Sequence, residues 1–366
     1  MNAVRPHLVV ASDSRIWGGA EVMLSHLLAE LDPVVRVTVV GTDPDIVRLL
    51  ASARPSAEPV VLPRVRSRSD LRSARTIWRR LRQLGPDIIQ VNLPSPASAR
   101  QLLIIAHLVP HARVIAVEHL PVPLHDPAAR LVKRLTSRRL AAHLAVGNQT
   151  AASVEQIVGL SRGSVRVVPN GLPSTTCAAT YRPGRAARIG TVGRLEARKG
   201  VDLLLTALEQ LPGVHLQVLG KGPMLAGLTE LARELGLGNR CDFSGWTEDV
   251  DSTIADWDVF VLASRAEGMP LAVLQAMHVG LPVVVTDVGS VREVVVHGVT
   301  GLVVPPESPA ALVSALHLLI SDAALRERLG RAGRERAHAH FGVAGMARGY
   351  ERIYAEILGA DGLGLQ

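Results

Sequence analysis

Residues 264–282, SRAEGMPLAVLQAMHVGLP, follow directly on the apolar, β-branched run Val259-Phe260-Val261-Leu262. The run stops at Ala263-Ser264, and an acidic corner, Glu267-Gly268-Met269-Pro270, comes next. Leu271, Val273, Leu274 and Met277 then recur at helical spacing until Gly280-Leu281-Pro282 ends them. The pattern is strand, tight turn, helix. In an open α/β sheet, ligands bind beyond the carboxyl ends of the strands, so Glu267 stands where chemistry is expected. The turn's backbone N–H groups, those of Gly268 and Met269 among them, adjoin a helix N-terminus and suit an anion. Gln275 lies about 12 Å further along the axis if the segment is helical throughout. A carboxylate and an amide flanking a phosphate cradle fit a sugar, a diphosphate and a ribose laid end to end. The competing reading is a buried helix with an exposed Glu at its start.

The same strand-glycine-helix unit recurs on both sides of this stretch. Upstream, RIGTVG leads into Gly193-Arg194-Leu195-Glu196-Ala197-Arg198-Lys199-Gly200 and the helical VDLLLTALEQL. Two cations five residues apart in that glycine-flanked loop suit a diphosphate: Arg194 can bind two oxygens at once, and Lys199 adds a point charge. Leu216–Leu219 with Gly220-Lys221-Gly222-Pro223 repeats the unit, and Cys241–Trp246 is a short strand. Asp256-Trp257-Asp258 has the look of a metal-binding D-x-D but fits a helix-to-strand corner, one residue before the core strand. Downstream come a strand, a Gly-Ser turn, a short helix, a hairpin-like loop, and helices over 309–320, 322–338 and 346–358.

The first half opens with the strand His7–Ala11, then DSRIWGGAE (13–21) and a helix; Gly18-Gly19 there allow close backbone approach to an anion. Strands follow over 35–40, 86–92, 113–117 and 141–146. His119, just past the strand ending in Glu118, faces the ligand side of the sheet. The other histidines show no metal-ligand spacing.

At 366 residues the chain has room for two domains. No apolar run reaches the roughly 18 residues of a membrane span, and the N-terminus lacks the apolar core of a secretory signal. Two cysteines, Cys177 and Cys241, make no disulfide framework and fit a reducing cytoplasm. The net charge of +7 is uneven: 22 Lys and Arg face 12 acids in residues 1–180, against 18 and 21 in the remainder. Arg64–Arg82 carries eight arginines and one acid, and Lys133-Arg134 with Arg138-Arg139 form a second cluster. A solvated helix face, a nucleic-acid patch and a surface for anionic lipid compete for these clusters. No aromatic interleaving supports nucleic acid, and clusters of this size can hold a protein to an anionic leaflet.

These motifs resemble glycosyltransferase family 4 over nearly the whole chain. Glu267 and Gln275 stand in its E-x7-E signature with an amide at the second place. Gly193-Arg194 with Lys199-Gly200 matches GR-x4-KG, GGAE (18–21) and EHLP (118–121) match segments of the first domain, and VPNG (168–171) precedes the interdomain crossing. The usual acid is missing at Lys221 and after the P-N-G. The resemblance implies an α/β GT-B fold, two Rossmann-like domains facing across a cleft. The first covers 1–172 plus a returning helix in 346–366; the second covers 186–345, after a linker over Ser174–Arg185. His119, Arg194, Lys199 and Glu267 are the catalytic residues implied. Gly18, Gly19, Gly193, Gly222, Trp246, Gly268, Met269, Pro270, Leu271 and Gln275 are the donor-binding ones. In the family the first acid takes sugar hydroxyls and the second the ribose. The Gln275 amide can still bond hydroxyls through its oxygen and its NH₂, with weaker or altered nucleotide binding.

The activity implied is retaining transfer of a hexose or N-acetylhexosamine from a nucleotide-diphosphate sugar, UDP or GDP, with no metal or other cofactor. The acceptor is a hydroxyl of a saccharide, a lipid-linked saccharide or a small molecule. The cysteine usage sets the expectation of a cytoplasmic protein, and the basic first half that of peripheral contact with an anionic membrane at its inner face, in competition with a merely solvated surface; no nucleic-acid partner is expected. A sugar-nucleotide epimerase of the same fold and a catalytically weak binding subunit are the alternatives. An NAD-dependent dehydrogenase is disfavoured, because no G-x-G-x-x-G follows a strand with an acid about 20 residues on.

Overall fold

The computed structural model describes residues 5–67, 69–180, 187–247 and 249–359. The end of the expected linker (181–185), Arg68 and the tail from 360 lie outside the described residues. The chain divides into two compact units, residues up to Gly171 together with those from Val343 on, and Leu172–Gly342. The first alternates β1 (His7–Ser12), α1 (Gly19–Glu30), β2 (Arg36–Gly41), α2 (Pro44–Ser52), β3 (Glu58–Val61), α3 (Leu71–Leu84), β4 (Ile88–Leu93), α4 (Arg100–Ala106), β5 (Arg113–Glu118), α5 (Pro127–Ser137), β6 (Ala142–Ala145), α6 (Asn148–Val158) and β7 (Arg166–Val167). The second contains β8 (Arg188–Val192), α7 (Val201–Glu209), β9 (His215–Leu219), α8 (Leu225–Glu234), β10 (Cys241–Gly245), α9 (Val250–Ala255), β11 (Val259–Leu262), α10 (Leu271–Val279), β12 (Val283–Thr286), α11 (Val291–Val294), β13 (Leu302–Val304), α12 (Pro309–Ser321) and α13 (Ala323–His340). The last helix, α14 (Val343–Leu358), belongs to the first unit.

The first sheet is wholly parallel in the order β3-β2-β1-β4-β5-β6-β7. Both faces are covered, which is why β1 and β4 are buried along their whole length and read as apolar runs, not alternations. From β1 the chain steps outward to β3, crosses back to β4 and then steps the other way. Right-handed crossovers therefore place α1 and α2 on one face and α3 to α6 on the other. The packing agrees: α3 lies against α4, α4 against α5 and α5 against α6, while α1 touches α2 and α14. Glu351 of α14 accepts from Asp32 N at 2.8 Å, and Tyr354 Oη donates to Gln90 Oε1 at 2.6 Å.

The second sheet is also parallel, in the order β10-β9-β8-β11-β12-β13. Its core joins Ile189, Val218, Val259 and Val261 to Leu204, Leu208, Leu312, Leu316 and Leu319. Each of those leucines is at most 1% exposed and contributes about 2 kcal/mol by burial. The expected hairpin-like loop resolves differently: β13 runs parallel to β12, and only an isolated bridge joins His297 to Gly301. Leu172 N bonds Phe341 O and Ala179 N bonds Val279 O, all four residues within the second unit.

Strand order reverses beside β1 and β4 in one sheet and beside β8 and β11 in the other. Such switch points open a crevice at the carboxyl ends of the strands. The segments leaving β8 and β11 are the GR-x4-KG loop and the Glu267 corner, so the topology brings them together. Among the described residues no single helix is long and apolar enough to cross a membrane. The α12–α13 pair passes on length and composition only together, across a 103° bend, and its apolar side is in the core just described.

Candidate active site

At the second switch point, Lys199 Nζ donates to Glu267 Oε1 at 2.5 Å, and the Ser264 hydroxyl donates to the same oxygen at 2.7 Å. Arg198 lies 3.5 Å from the other oxygen, Oε2. Arg198 also meets Glu196 at 2.9 Å, and Glu196 holds Arg194 at 2.5 Å. Three cations and two carboxylates thus form one continuous chain across two loops far apart in sequence. The side chains of Lys199 and Glu267 are 14% and 7% exposed, so the pair sits where water screens it little. The three cations are held at fixed positions by carboxylates, and a diphosphate entering here would share them with Glu196 and Glu267.

Backbone packing fixes the two loops. Gly200 takes φ +64°, and a Cβ there would come within 2.0 Å of Ala263 O; that close crossing puts Lys199 beside the Glu267 corner. From beneath, Gly289 passes so near that a Cβ would lie 2.0 Å from Glu267 O, and Ser290 N bonds Gly268 O at 2.8 Å. Arg265 braces the corner from outside, with two bonds to Asp202 at 2.7 and 2.8 Å and one to Glu307 at 2.6 Å. These acids hold its guanidinium above the ordinary arginine range. Met269 is buried and Pro270 is the N-cap of α10, without a side-chain bond to the first turn. An anion there would meet first-turn N–H groups, those of Leu271 onward, that no cap side chain satisfies.

The other donor-side positions differ among themselves. Gly193, at φ +155°, lies beside the Lys199 stem: a Cβ there would come 3.5 Å from Lys199 Cε. Gly222 is explained by packing within the protein, since a Cβ there would lie 2.3 Å from Leu195 O. Trp246 is 60% exposed at the carboxyl end of β10 and offers an open ring face. The amide of Gln275 donates through Nε2 to Asp251 Oδ1 on α9 at 2.7 Å, which leaves its carbonyl oxygen for a further donor.

In the first unit, Gly18 is the N-cap of α1 with extended backbone (φ −135°), a conformation open to any residue. A Cβ there would touch only the Glu21 carboxylate, at an ordinary 3.5 Å. Neither backbone nor packing within the unit requires glycine at this position. Gly19 begins the helix, and Glu21 reaches back to Gly18 N at 3.2 Å and Ser12 Oγ at 3.4 Å. Burial pushes the Glu21 carboxyl up. Asp13 ties this loop to the one after β4 by accepting from Ala99 N at 2.7 Å, and burial raises its carboxyl too.

His119 leaves β5 with its N–H on Leu93 O at 3.1 Å. It is half-buried, and its Nε2 is enclosed without a hydrogen-bond partner among the described residues. Burial drives the imidazole down to about 4, so it is neutral at neutral pH. Beneath it Glu118 is fully buried, 2.5 Å from Lys133 Nζ and 2.9 Å from His143 Nε2. Burial alone would raise the Glu118 carboxyl; the Lys133 charge and His143 outweigh it and hold it at about 2. Lys133, counted with the surface cluster on sequence, is therefore inside.

The family model described as Glycosyltransferase Family 4 matches residues 17–175, and that described as Glycosyl transferases group 1 matches 179–336. The chain belongs to glycosyltransferase family 4. The chain is 32% identical, over 173 residues, to the lipopolysaccharide core biosynthesis glycosyltransferase LpsE of Rhizobium meliloti, covering 47% of this chain and 51% of LpsE. It is 33% identical, over 168 residues, to the GDP-mannose-dependent alpha-(1-6)-phosphatidylinositol monomannoside mannosyltransferase of Mycobacterium tuberculosis, covering 42% and 44% of the two chains. The chain thus spans about half the length of the curated relatives it matches. The crystal structure of HepE from Anabaena in complex with UDP resembles it with a TM-score of 0.82 at 21% identity, covering 96% of this chain and 100% of that one. The fold shared is GT-B.

The structure brings Arg194, Lys199 and Glu267 into one network and leaves Gly222 to packing. Sequence reasoning missed Ser264, Arg198, Arg265 and Asp251, whose partners Glu267, Asp202 and Gln275 lie 3 to 69 positions away. It also passed over Glu21, whose carboxylate reaches back from the third helical position to the Gly18 N–H. Asp258 accepts from Arg188 N at 2.8 Å, and Trp257 is buried against Gly190, whose Cβ would lie 2.4 Å from the ring. The D-x-D is the corner its position suggests. No group of three or more His, Cys, Asp or Glu among the described residues is arranged to hold a metal ion.

Proposed function

We propose that this glycosyltransferase is a retaining enzyme that moves a hexose or N-acetylhexosamine from a UDP- or GDP-sugar to a hydroxyl of a saccharide, lipid-linked saccharide or small molecule. The observation that carries this is the direct contact of Lys199 with Glu267 at the switch point, linked through Arg198 and Glu196 to Arg194. Loss of the donor's diphosphate builds negative charge as the anomeric carbon turns cationic. Preorganised donors aimed at developing charge are usually the largest catalytic term. Arg194, Lys199 and the α10 N-terminus supply them, Glu267 orients the sugar through its hydroxyls, and the GGAE turn offers backbone N–H groups. We assign His119, neutral and with an enclosed Nε2 that has no partner among the described residues, a hydrogen bond to a sugar hydroxyl. The Asp251–Gln275 pair takes the ribose, with the Asp251 carboxylate in the part played by the family's second acid.

The leaving phosphate itself accepts the proton of the incoming hydroxyl, so no further general base is required. LpsE acts in lipopolysaccharide core biosynthesis by its name, which supports a glycoconjugate acceptor; a cytoplasmic site of action at the inner face of the membrane is part of the same proposal. Incubation with UDP- and GDP-sugars and an acceptor pool tests the proposal. Nucleotide released only when acceptor is present, with the anomeric configuration of the donor kept in the product, supports it. A new sugar nucleotide formed without acceptor would mark an epimerase, and binding without turnover a binding subunit.

A further inference from the structure

We propose that Glu118, Lys133 and His143 form a buried positioning network that sets the direction of the His119 ring toward the sugar. This deepens the function proposed above and rests on it only for what the ring touches. The His119 backbone N–H bonds Leu93 O at 3.1 Å, but the ring's Nε2 has no partner among the described residues, so no hydrogen bond at that nitrogen aligns it. Its neighbour Glu118 is gripped from two other elements. Lys133 Nζ of α5 lies 2.5 Å from Oε1 and His143 Nε2 of β6 lies 2.9 Å from the same oxygen, with all three side chains at most 5% exposed. In the β5–β6 ladder His143 stands opposite Ala116, and so on the same face of the sheet as Glu118. Successive side chains leave a strand on opposite faces; drawing Glu118 under α5 therefore turns His119 to the other side.

The helix is mounted on this contact. The residues that α5 buries are Ala129, Lys133 and Ser137, spaced one turn apart, whereas Leu131 and Leu135 are turned outward, 57% and 52% exposed. A helix docked for apolar burial presents its leucines to the sheet; α5 presents its lysine. Buried charges of this kind often add no stability over an apolar set of similar volume, because desolvation offsets their attraction. What they supply instead is direction: short, charge-assisted contacts from two elements fix one carboxylate oxygen, and with it the strand end from which His119 departs.

Glu118→Gln/Lys133→Met in the full chain removes both charges at similar volume and leaves His143 an acceptor. The variant should melt close to the parent and keep the donor KM within about twofold, because the nucleotide is held in the second unit. Its kcat should fall on the order of tenfold to a hundredfold, as misplacement of an orienting group does. The loss should run through His119: adding the two changes to His119→Gln should cost nothing beyond His119→Gln alone. With isotope-labelled histidine, the His119 ring signal, assigned by its absence in His119→Gln, should be single in the parent and broadened or split in the double variant. His143→Phe, which loosens one grip and leaves the ion pair in place, should do the same to a smaller degree and serves if the double variant does not fold. Parent-like kcat in a folded variant, an undisturbed His119 signal, or a loss that adds fully to that of His119→Gln would each overturn the proposal. The ring signal is read without substrate, which keeps the two proposals apart. A disturbed signal in a protein that transfers no sugar supports the network and overturns the reaction, whereas transfer with an undisturbed signal overturns the network alone.

Discussion

Replacing Lys199 by Met removes the charge at the centre of the network while keeping most of the stem that packs beside Gly193. Glu267, 7% exposed, would lose a partner 2.5 Å away and keep the Ser264 hydroxyl at 2.7 Å and Arg198 at 3.5 Å. Breaking a buried ion pair by removing one partner costs about 3–5 kcal/mol, and the two remaining partners bring the expectation to about 2–3 kcal/mol. Urea denaturation measures that. Turnover should fall by about 100- to 1,000-fold, the usual effect of deleting one preorganised donor. Lys199→Met/Glu267→Gln separates the two roles: without the orphaned carboxylate much of the stability returns, whereas turnover stays low. Turnover of Lys199→Met within about threefold of the parent, or recovery of turnover with stability in the double variant, would reduce the pair to a structural ion pair.

Gln275→Glu would set a second carboxylate against Asp251 Oδ1, where the amide now donates at 2.7 Å, and like charges at that distance cannot both ionise freely. Nucleotide affinity by titration calorimetry should not improve in this single variant and should improve when Asp251→Asn is added. Gly18→Ala should change stability by no more than about 0.5 kcal/mol, since backbone and space allow a Cβ there, yet raise KM for the donor; an unchanged KM would remove Gly18 from the site. Gly289→Ala, with φ +54° and a carbonyl 2.0 Å from the new Cβ, should by contrast lower the melting temperature markedly. The His119 imidazole, held near 4 against an ordinary 6.5, contributes stability that is complete above about pH 6.5 and is lost as pH falls towards 4. Glu118, near 2 against 4.5, does the same between about pH 4.5 and 2. NMR titration of His119 with a midpoint near 6.5 would contradict the enclosure described.

The strand-turn-helix units were legible because buried parallel strands read as unbroken apolar runs, and Gly280 or Pro270 marks where a helix stops or starts. The edge strand β3 was not, since EPVV is mostly exposed and short. Arg194, Lys199 and Glu267 could be picked out singly by residue type and glycine setting. Their pairing depends on the crossing at Gly200 and Ala263, a contact between loops more than 60 residues apart that local pattern does not encode. Lys133 misled for the same reason: on a basic helix it looks like a surface charge, and only the fold supplies Glu118. Arg54 is similar, a buried guanidinium that ties Leu28, Leu31, Asp32 and Val35 carbonyls together. The exposure of Trp246 likewise depends on where the β10 end lies.

The central claim, that the second switch point grips a nucleoside diphosphate through its phosphates, is tested most directly by calorimetric titration with UDP, UMP and uridine, and with the guanosine series. The account predicts that affinity climbs with each phosphate in one of the two series, and that Arg194→Met and Lys199→Met flatten the climb while leaving nucleoside binding in place. Equal affinity for nucleoside and diphosphate, or an undiminished climb in both variants, would contradict it.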